Sequence, residues 1–148
     1  MQSVIGGAGS GRRRLVIERF PYARWHRLAP GDGADACLAG CELSGGGVSG
    51  HDTWEVLVVD GIADWLAAAL AETPDDDALR GIWLGLLDRL AAAPGEAVLI
   101  LDEMGRGIVP MDPAARRLRD HNGWLAQAAA ARSRAVWYLR HGLCKRLK

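Results

Sequence analysis

Apolar residues along this chain form short continuous runs that alternate with longer amphipathic stretches. Two runs, at residues 55–60 and 97–101, are nearly uninterrupted and close on acids: Asp60 ends the first, and Asp102 and Glu103 follow the second. A continuous apolar run with a polar end is typical of a parallel strand buried on both faces. The remaining strands are predicted at residues 1–5, 22–28 and 135–139.

The amphipathic stretches between these runs predict helices. The predicted helices cover residues 12–19, 62–70, 78–92 and 112–131. In the third, Leu79, Trp83 and Leu86 fall on one face, and the acidic run at residues 75–77 supplies an N-cap and negative charge before them. Because strands alternate with helices, we expect one α/β domain over residues 1–148 with a parallel sheet. Residues 31–49 are glycine-rich without periodicity, which predicts a flexible loop.

Charge and cysteine content narrow the function classes. Lys plus Arg and Asp plus Glu each number 18, so the formal net charge is zero, and a general nucleic-acid-binding protein is not expected. No apolar run reaches the roughly 18 residues of a membrane helix, and no signal peptide is recognisable, which predicts a cytoplasmic protein. Three cysteines are too few for a disulfide framework. Cys37 and Cys41 lack further ligands nearby, so a zinc site is not expected.

The most informative motif follows the first predicted strand. It consists of Gly6, Gly7, Ala8, Gly9, Ser10, Gly11, Arg12 and Arg13. A phosphate-binding loop has Gly, four residues, Gly, Lys, then Ser or Thr. Both frame glycines are in register, but Arg12 stands at the Lys position and Arg13 at the position of the magnesium-binding hydroxyl. The backbone amides that cradle phosphate are kept, so the loop is a candidate nucleotide site; the alternative is a plain turn.

Two acids and two arginines complete the candidate site. Ligands of parallel sheets bind beyond the carboxyl ends of the strands, where the glycine loop, Asp60 and Glu103 all fall. Asp60 is the candidate Mg²⁺ ligand and catalytic carboxylate, or else the N-cap of the next helix. Glu103 is a candidate general base, or else a salt-bridge partner of Arg116 or Arg119. These two arginines are candidate phosphate contacts, or else part of a solvated helix face. The four histidines show no catalytic spacing.

The second half of the chain resembles a known family. Residues 102–110, Asp-Glu-Met-Gly-Arg-Gly-Ile-Val-Pro, are similar to the Asn-Glu-Val-Gly-x-Gly-Ile-Val-Pro signature of the bifunctional adenosylcobinamide kinase / adenosylcobinamide-phosphate guanylyltransferase family. The arginines of residues 116–119, the Val-Val-Asp-Gly-Ile-Ala-Asp-Trp-Leu segment at 58–66 and the closing residues 142–148 continue the likeness. The glycine loop lies at the family's position. The resemblance covers residues 1–20 and 54–148.

The resemblance implies a fold of P-loop type, Mg²⁺ with ATP or GTP, and a homotrimer. Members of this family phosphorylate the aminopropanol hydroxyl of adenosylcobinamide and then transfer GMP through a guanylylated histidine, in building the cobalamin nucleotide loop. By this likeness, the loop at residues 6–11 holds nucleotide phosphates and Asp60 lies near magnesium. The expected partners are a nucleotide and a corrinoid such as adenosylcobinamide.

Several departures from the family pattern concern functional positions. Arg12 and Arg13 replace Lys and Ser, Ala63 replaces Thr, and Asp102 replaces Asn. The segment before Asp60 is about thirty residues shorter than the family pattern, and residues 31–49 contain no histidine. Two hypotheses follow: an adenosylcobinamide kinase that has lost guanylyl transfer, or a catalytically impaired relative that binds a nucleotide or corrinoid, or acts as a scaffold.

Overall fold

A computed structural model describes residues 1–34, 36–38 and 56–148. Its elements are β1 (Gln2–Gly6), α1 (Arg12–Arg19), β2 (Arg24–Arg27), a short 3₁₀ helix (Ala36–Leu38), β3 (Val56–Asp60), α2 (Ile62–Glu72), α3 (Asp76–Ala92), β4 (Glu96–Asp102), α4 (Pro113–Arg132), β5 (Ala135–Arg140) and β6 (Leu143–Arg146). The predicted α/β alternation is confirmed, and element ends differ from the prediction by a few residues.

The sheet has the order β2-β3-β4-β1-β5-β6, and every neighbouring pair except β5–β6 is parallel. The last residue of β1, Gly6, is paired with Asp102 of β4 and Leu139 of β5. Asp60 ends β3, on the other side of β4. The order therefore brings the glycine loop and both acidic strand ends to one edge of the sheet.

The two faces of the sheet have separate cores, because strand side chains alternate between faces. Leu57, Val59 and Leu99 belong to the core that also contains buried residues of α2, α3 and α4. Val58 and Val98 belong to the opposite core, which includes Val16 of α1. The central strands are buried on both faces, which explains their continuous apolar runs.

The antiparallel strand β6 is a correction to the sequence prediction, in which the strand at residues 135–139 is the last one. His141 and Gly142 have φ values of 53° and 76°, and they join β5 to β6. Two consecutive left-handed residues form the tight turn that matches the twist of a hairpin. All of β6 is exposed, so it has no apolar run by which to recognise it.

The part of the predicted loop at 31–49 that the structure describes contains the short 3₁₀ helix, in which Cys37 and Leu38 are buried. The rest of that predicted loop, with Cys41, lies outside the described residues. Within the described ranges, no helix is long and apolar enough to span a lipid bilayer.

Buried polar contacts join α3 to α4. The indole Nε1–H of Trp83 donates to His121 Nδ1 (3.4 Å), and His121 Nε2 lies 2.9 Å from Asp76 Oδ1. Arg117 Nε donates to the same oxygen (2.6 Å), and its terminal nitrogens donate to carbonyls in the last turn of α2 and in the connection to α3. Arg117 therefore has a structural role in fixing the α2–α3 connection to α4.

These contacts predict a pH-dependent contribution to stability. Hydrogen bonds from Arg117 and then His121 hold the pKa of Asp76 below its usual 3.8. A carboxyl group whose pKa is lower in the folded state than in the unfolded state stabilises the fold at pH values above its unfolded-state pKa. This stabilisation is lost as the pH falls through its folded-state pKa. We expect Asp76→Asn to lower the free energy of unfolding near neutral pH, with the difference from wild type shrinking below the unfolded pKa.

Urea unfolding from about pH 7 to about pH 2.5 measures this difference. Asp77→Asn is the matched control, because Asp77 lies in the same first turn of α3 and makes no ion pair within the part of the chain the structure describes. Equal pH profiles for the two variants would show that the pairing of Asp76 contributes nothing.

Candidate functional site

The glycine loop connects β1 to α1 and has the backbone form of an anion site. Gly9 and Gly11 have φ values of 69° and 95°, and Ser10 N–H donates to Gly7 C=O (3.2 Å). Helix α1 begins at Arg12 without a side-chain cap, which leaves its first amide N–H groups available to an anion. The role of the loop as a nucleotide site stays a prediction, beside the alternative of a plain turn.

Ser10 provides a second feature that points to a ligand. The residue is 7% exposed, and its Oγ has no hydrogen-bond partner among the described residues. A buried hydroxyl without a partner is costly unless a ligand or water satisfies it. Gly6 leaves no space for a larger residue beneath the loop, since a Cβ there would lie 2.6 Å from both Leu139 O and Ser10 Oγ.

Arg12 does not extend over the loop. Its Nη1 donates to Leu101 C=O (2.6 Å) and its Nη2 to Asp102 Oδ1 (2.5 Å). Only 13% of its side chain is exposed. Asn122 Nδ2 donates to the Asp102 carbonyl (2.8 Å), which fixes the end of β4 from α4. The guanidinium at the usual Lys position is thus engaged with the end of β4.

Arg13 is paired with Asp60. Its Nε donates to Asp60 Oδ2 (2.5 Å), while Asp60 Oδ1 accepts the N–H of Gly61 (2.7 Å). The alternative role of Asp60 as a helix cap is wrong: Gly61 is the N-cap of α2, and no side chain caps that helix. The only strand-end carboxylate expected to hold magnesium is therefore neutralised by the guanidinium that replaces the magnesium-binding hydroxyl.

Glu103 lies next to the loop, since its N–H donates to Gly6 C=O (2.9 Å). Its Oε1 accepts from Arg106 Nε (2.6 Å) and its Oε2 from Tyr138 Oη–H (2.9 Å). The hydrogen bond to Glu103 raises the pKa of Tyr138 and also that of Arg106. The predicted salt bridge of Glu103 to Arg116 or Arg119 is thus wrong, because Arg106, three residues along, takes that place.

The two helix arginines are engaged locally. Arg116 Nη1 donates to the carbonyls of Pro110 (3.0 Å) and Met111 (2.6 Å), so it holds the end of the loop before α4. Arg119 Nε lies 3.6 Å from Asp120 Oδ1. Their role as phosphate contacts stays a prediction.

Sequence reasoning missed Tyr138, and it did not recognise the pairing of Asp102 with Arg12. Tyr138 is paired with Ile5, next to the end of β1, and this position is known only once β5 is placed beside β1. The sequence pattern already placed Asp102 at the end of a predicted strand. The available signal was the acid at position 102 in place of Asn, because a carboxylate attracts a guanidinium that the fold brings close to it.

A magnesium ion at Asp60 would have to displace groups of the chain itself, and Mg²⁺ stays a prediction. Asp60 has both oxygens bonded within the chain, and Arg13 offers no hydroxyl. Across the described residues, no three His, Cys, Asp or Glu side chains converge in a way that holds a metal ion. A divalent cation and the Arg13 guanidinium would compete for the same carboxylate.

The mostly parallel sheet, with a glycine loop at the end of its central strand, defines an α/β protein of P-loop type. A model of the family described as cobinamide kinase / cobinamide phosphate guanyltransferase matches residues 46–147, so this chain belongs to that family. The resemblance found in the motifs is confirmed there. The glycine loop lies outside the matched range, and its role as a nucleotide site stays a prediction.

Two curated relatives agree with this assignment. The chain is 38% identical over 92 residues to the bifunctional adenosylcobalamin biosynthesis protein CobP of Pseudomonas aeruginosa, covering 62% of this chain and 53% of the relative. It is 32% identical over 84 residues to the bifunctional adenosylcobalamin biosynthesis protein CobU of Salmonella typhimurium, covering 57% and 44%. The chain spans about half the length of the curated relatives it matches.

Proposed function

We propose that this protein acts in cobalamin biosynthesis as a family member that binds the phosphates of a nucleotide or corrinoid without transferring a phosphoryl group. The observation that carries this proposal is the pairing of Arg12 with Asp102 and of Arg13 with Asp60. The guanidinium groups of Arg12 and Arg13 stand at the usual Lys and hydroxyl positions of the loop, and both are directed to the ends of strands.

Phosphoryl transfer depends on charges positioned at the transferred group, through a loop Lys and a metal ion. Here the Arg12 guanidinium already donates to two oxygens of β4, and Arg13 occupies the carboxylate of Asp60. Removing one transition-state donor typically costs about 10²–10³ in rate, so the loss of both leaves little catalysis.

Anion binding at the loop requires fewer positioned groups than phosphoryl transfer does. The left-handed glycines, the open amides at the start of α1 and the buried Ser10 hydroxyl depend on backbone and burial alone. We therefore expect phosphate to bind at this loop without magnesium.

The second candidate is an adenosylcobinamide kinase that uses ATP or GTP with Mg²⁺. The position of Glu103 favours it, because Tyr138 and Arg106 orient this carboxylate beside the loop, as a general base would be. This activity requires Arg13 to leave Asp60 when nucleotide binds. Loss of guanylyl transfer is part of both candidates and rests on the missing histidine segment, and a homo-oligomer stays a prediction.

Product formation separates the two candidates. Purified protein at high concentration, with adenosylcobinamide, Mg²⁺ and either ATP or GTP, is analysed by mass spectrometry for the phosphate ester. We expect no ester above the level of a protein-free control. Ester formation that saturates with substrate and is lost in Glu103→Gln would instead establish the kinase.

A further inference from the structure

A second basic cavity lies at the opposite edge of the sheet from the glycine loop, where β1 and β5 begin. It has a volume of about 360 Å³. We call it the arginine–tryptophan pocket, and it is lined by Gln2, Arg19, Arg134, Ala135, Trp137 and Arg146. Arg19 is the last residue of α1, and Arg146 reaches the same place because β6 runs antiparallel to β5. Neither proposed function uses these residues.

The guanidinium groups of Arg19 and Arg146 both lie over the ring of Trp137. Arg19 Cζ lies 4.0 Å from the centroid of this ring, and Arg146 Cζ lies 5.6 Å from it. The indole Nε1–H donates to Gln2 Oε1 (2.9 Å), which fixes the orientation of the ring. A guanidinium stacked on an aromatic face keeps its N–H groups at its edge, where they remain free to bind a ligand.

The pocket carries more positive charge than the acidic groups beside it balance. Arg134 pairs with Glu96 at the rim of the pocket. By contrast, Arg19 makes no ion pair with any residue in the described ranges, and Arg146 Nε donates to a main-chain oxygen of Lys148 (2.7 Å). In a chain with zero formal net charge, this is a local excess of positive charge held in fixed geometry.

We propose that the arginine–tryptophan pocket binds a small polyanion that carries at least two phosphate or carboxylate groups. Both groups match the planar fork of a guanidinium and accept two parallel N–H bonds from it. Stacking on Trp137 orders the two side chains before the ligand arrives, which lowers the entropy cost of binding. The volume lies at the lower end of small-molecule pockets, so a compact metabolite is the occupant that fits.

Site-resolved NMR titration tests this proposal. Pyrophosphate and citrate are the two probes, and the signal is the indole N–H resonance of Trp137, assigned with Trp137→Phe. We expect saturable shifts with at least one probe in wild type, and affinity weaker by at least about tenfold in Arg19→Gln/Arg146→Gln. A response to pyrophosphate alone identifies a phosphate ligand, and a response to citrate alone identifies a carboxylate ligand.

The matched control is Arg24→Gln/Arg80→Gln, which removes the same charge from two exposed arginines, one of which stacks on Trp124. Thermal melting confirms that both double variants fold. The proposal is overturned if neither probe shifts the Trp137 resonance, or if the control weakens binding as much as the pocket variant. The amide resonances of the glycine loop report phosphate binding at the loop, separately from the Trp137 resonance. A failure of this proposal is therefore distinguishable from a failure of the proposed function.

Discussion

Replacing Arg12 with Lys and Arg13 with Ser together should make phosphate binding at the glycine loop depend on magnesium. The change frees Asp60 from its ion pair and restores a hydroxyl at position 13. Pyrophosphate affinity, followed at the amides of Gly7, Gly9 and Gly11, should rise by about tenfold or more when Mg²⁺ is added to the variant.

The same variant should be less stable than wild type without metal. Asp60 is only 7% exposed, and removing its partner leaves a nearly buried carboxylate uncompensated. We expect a loss of about 1–3 kcal/mol, below the cost for a fully buried pair because Arg13 is itself half exposed. Mg²⁺ should recover part of this loss, which thermal melting measures without any phosphate ligand.

Arg14→Ser is the control for this pair of substitutions. Arg14 follows Arg13 on α1, is 70% exposed and pairs only with Glu18 at 3.7 Å among the described residues. It should change neither the magnesium response nor the melting temperature appreciably. If Mg²⁺ changes neither the pyrophosphate affinity nor the melting temperature of the Arg12→Lys/Arg13→Ser variant, Arg13 does not keep a metal ion away from Asp60.

Gly61→Ala should destabilise the fold by about 2–4 kcal/mol. Gly61 has φ 78°, and a Cβ there would lie 2.5 Å from Leu28 O and 2.9 Å from Arg27 Cγ. The left-handed conformation alone costs about 1–2 kcal/mol in a residue with a side chain. The clash with the backbone of residue 28 adds to this, and the site is affected because Gly61 N–H also bonds Asp60.

Gly81→Ala is the matched control and should have the opposite sign. Gly81 lies inside α3, and a Cβ there meets nothing within 4 Å. Alanine in a helix interior is favoured over glycine by up to about 1 kcal/mol. Urea unfolding measures both variants, and equal effects at the two positions would contradict the assigned backbone geometry of Gly61.

The sequence predicted the sheet well because burial on both faces leaves an unmistakable pattern. The runs that became β3 and β4 are apolar throughout and end on Asp60 and Asp102, so their type and direction followed from residue order. The same reasoning placed the glycine loop and both acids at one edge. It failed for β6, whose exposed side chains show no such pattern.

The partners within the site were not predictable in the same way. The choice of Arg106 for Glu103, and of Asp102 for Arg12, depends on which strand lies beside which and on side-chain reach. Charge pattern gives the sign of a residue but not the direction of its side chain. The consequence is large here, since a guanidinium directed toward a strand end instead of a phosphate changes the expected chemistry of the loop.

The most direct test of this account is the magnesium dependence of phosphate binding by the unaltered protein. Pyrophosphate is titrated into wild type in EDTA and in excess Mg²⁺, with the loop amides of Gly7, Gly9 and Gly11 as the signal. We expect binding in both conditions with affinities equal within about twofold, because Arg13 occupies the carboxylate of Asp60. Binding that appears only with Mg²⁺, or no binding in either condition, would contradict this expectation.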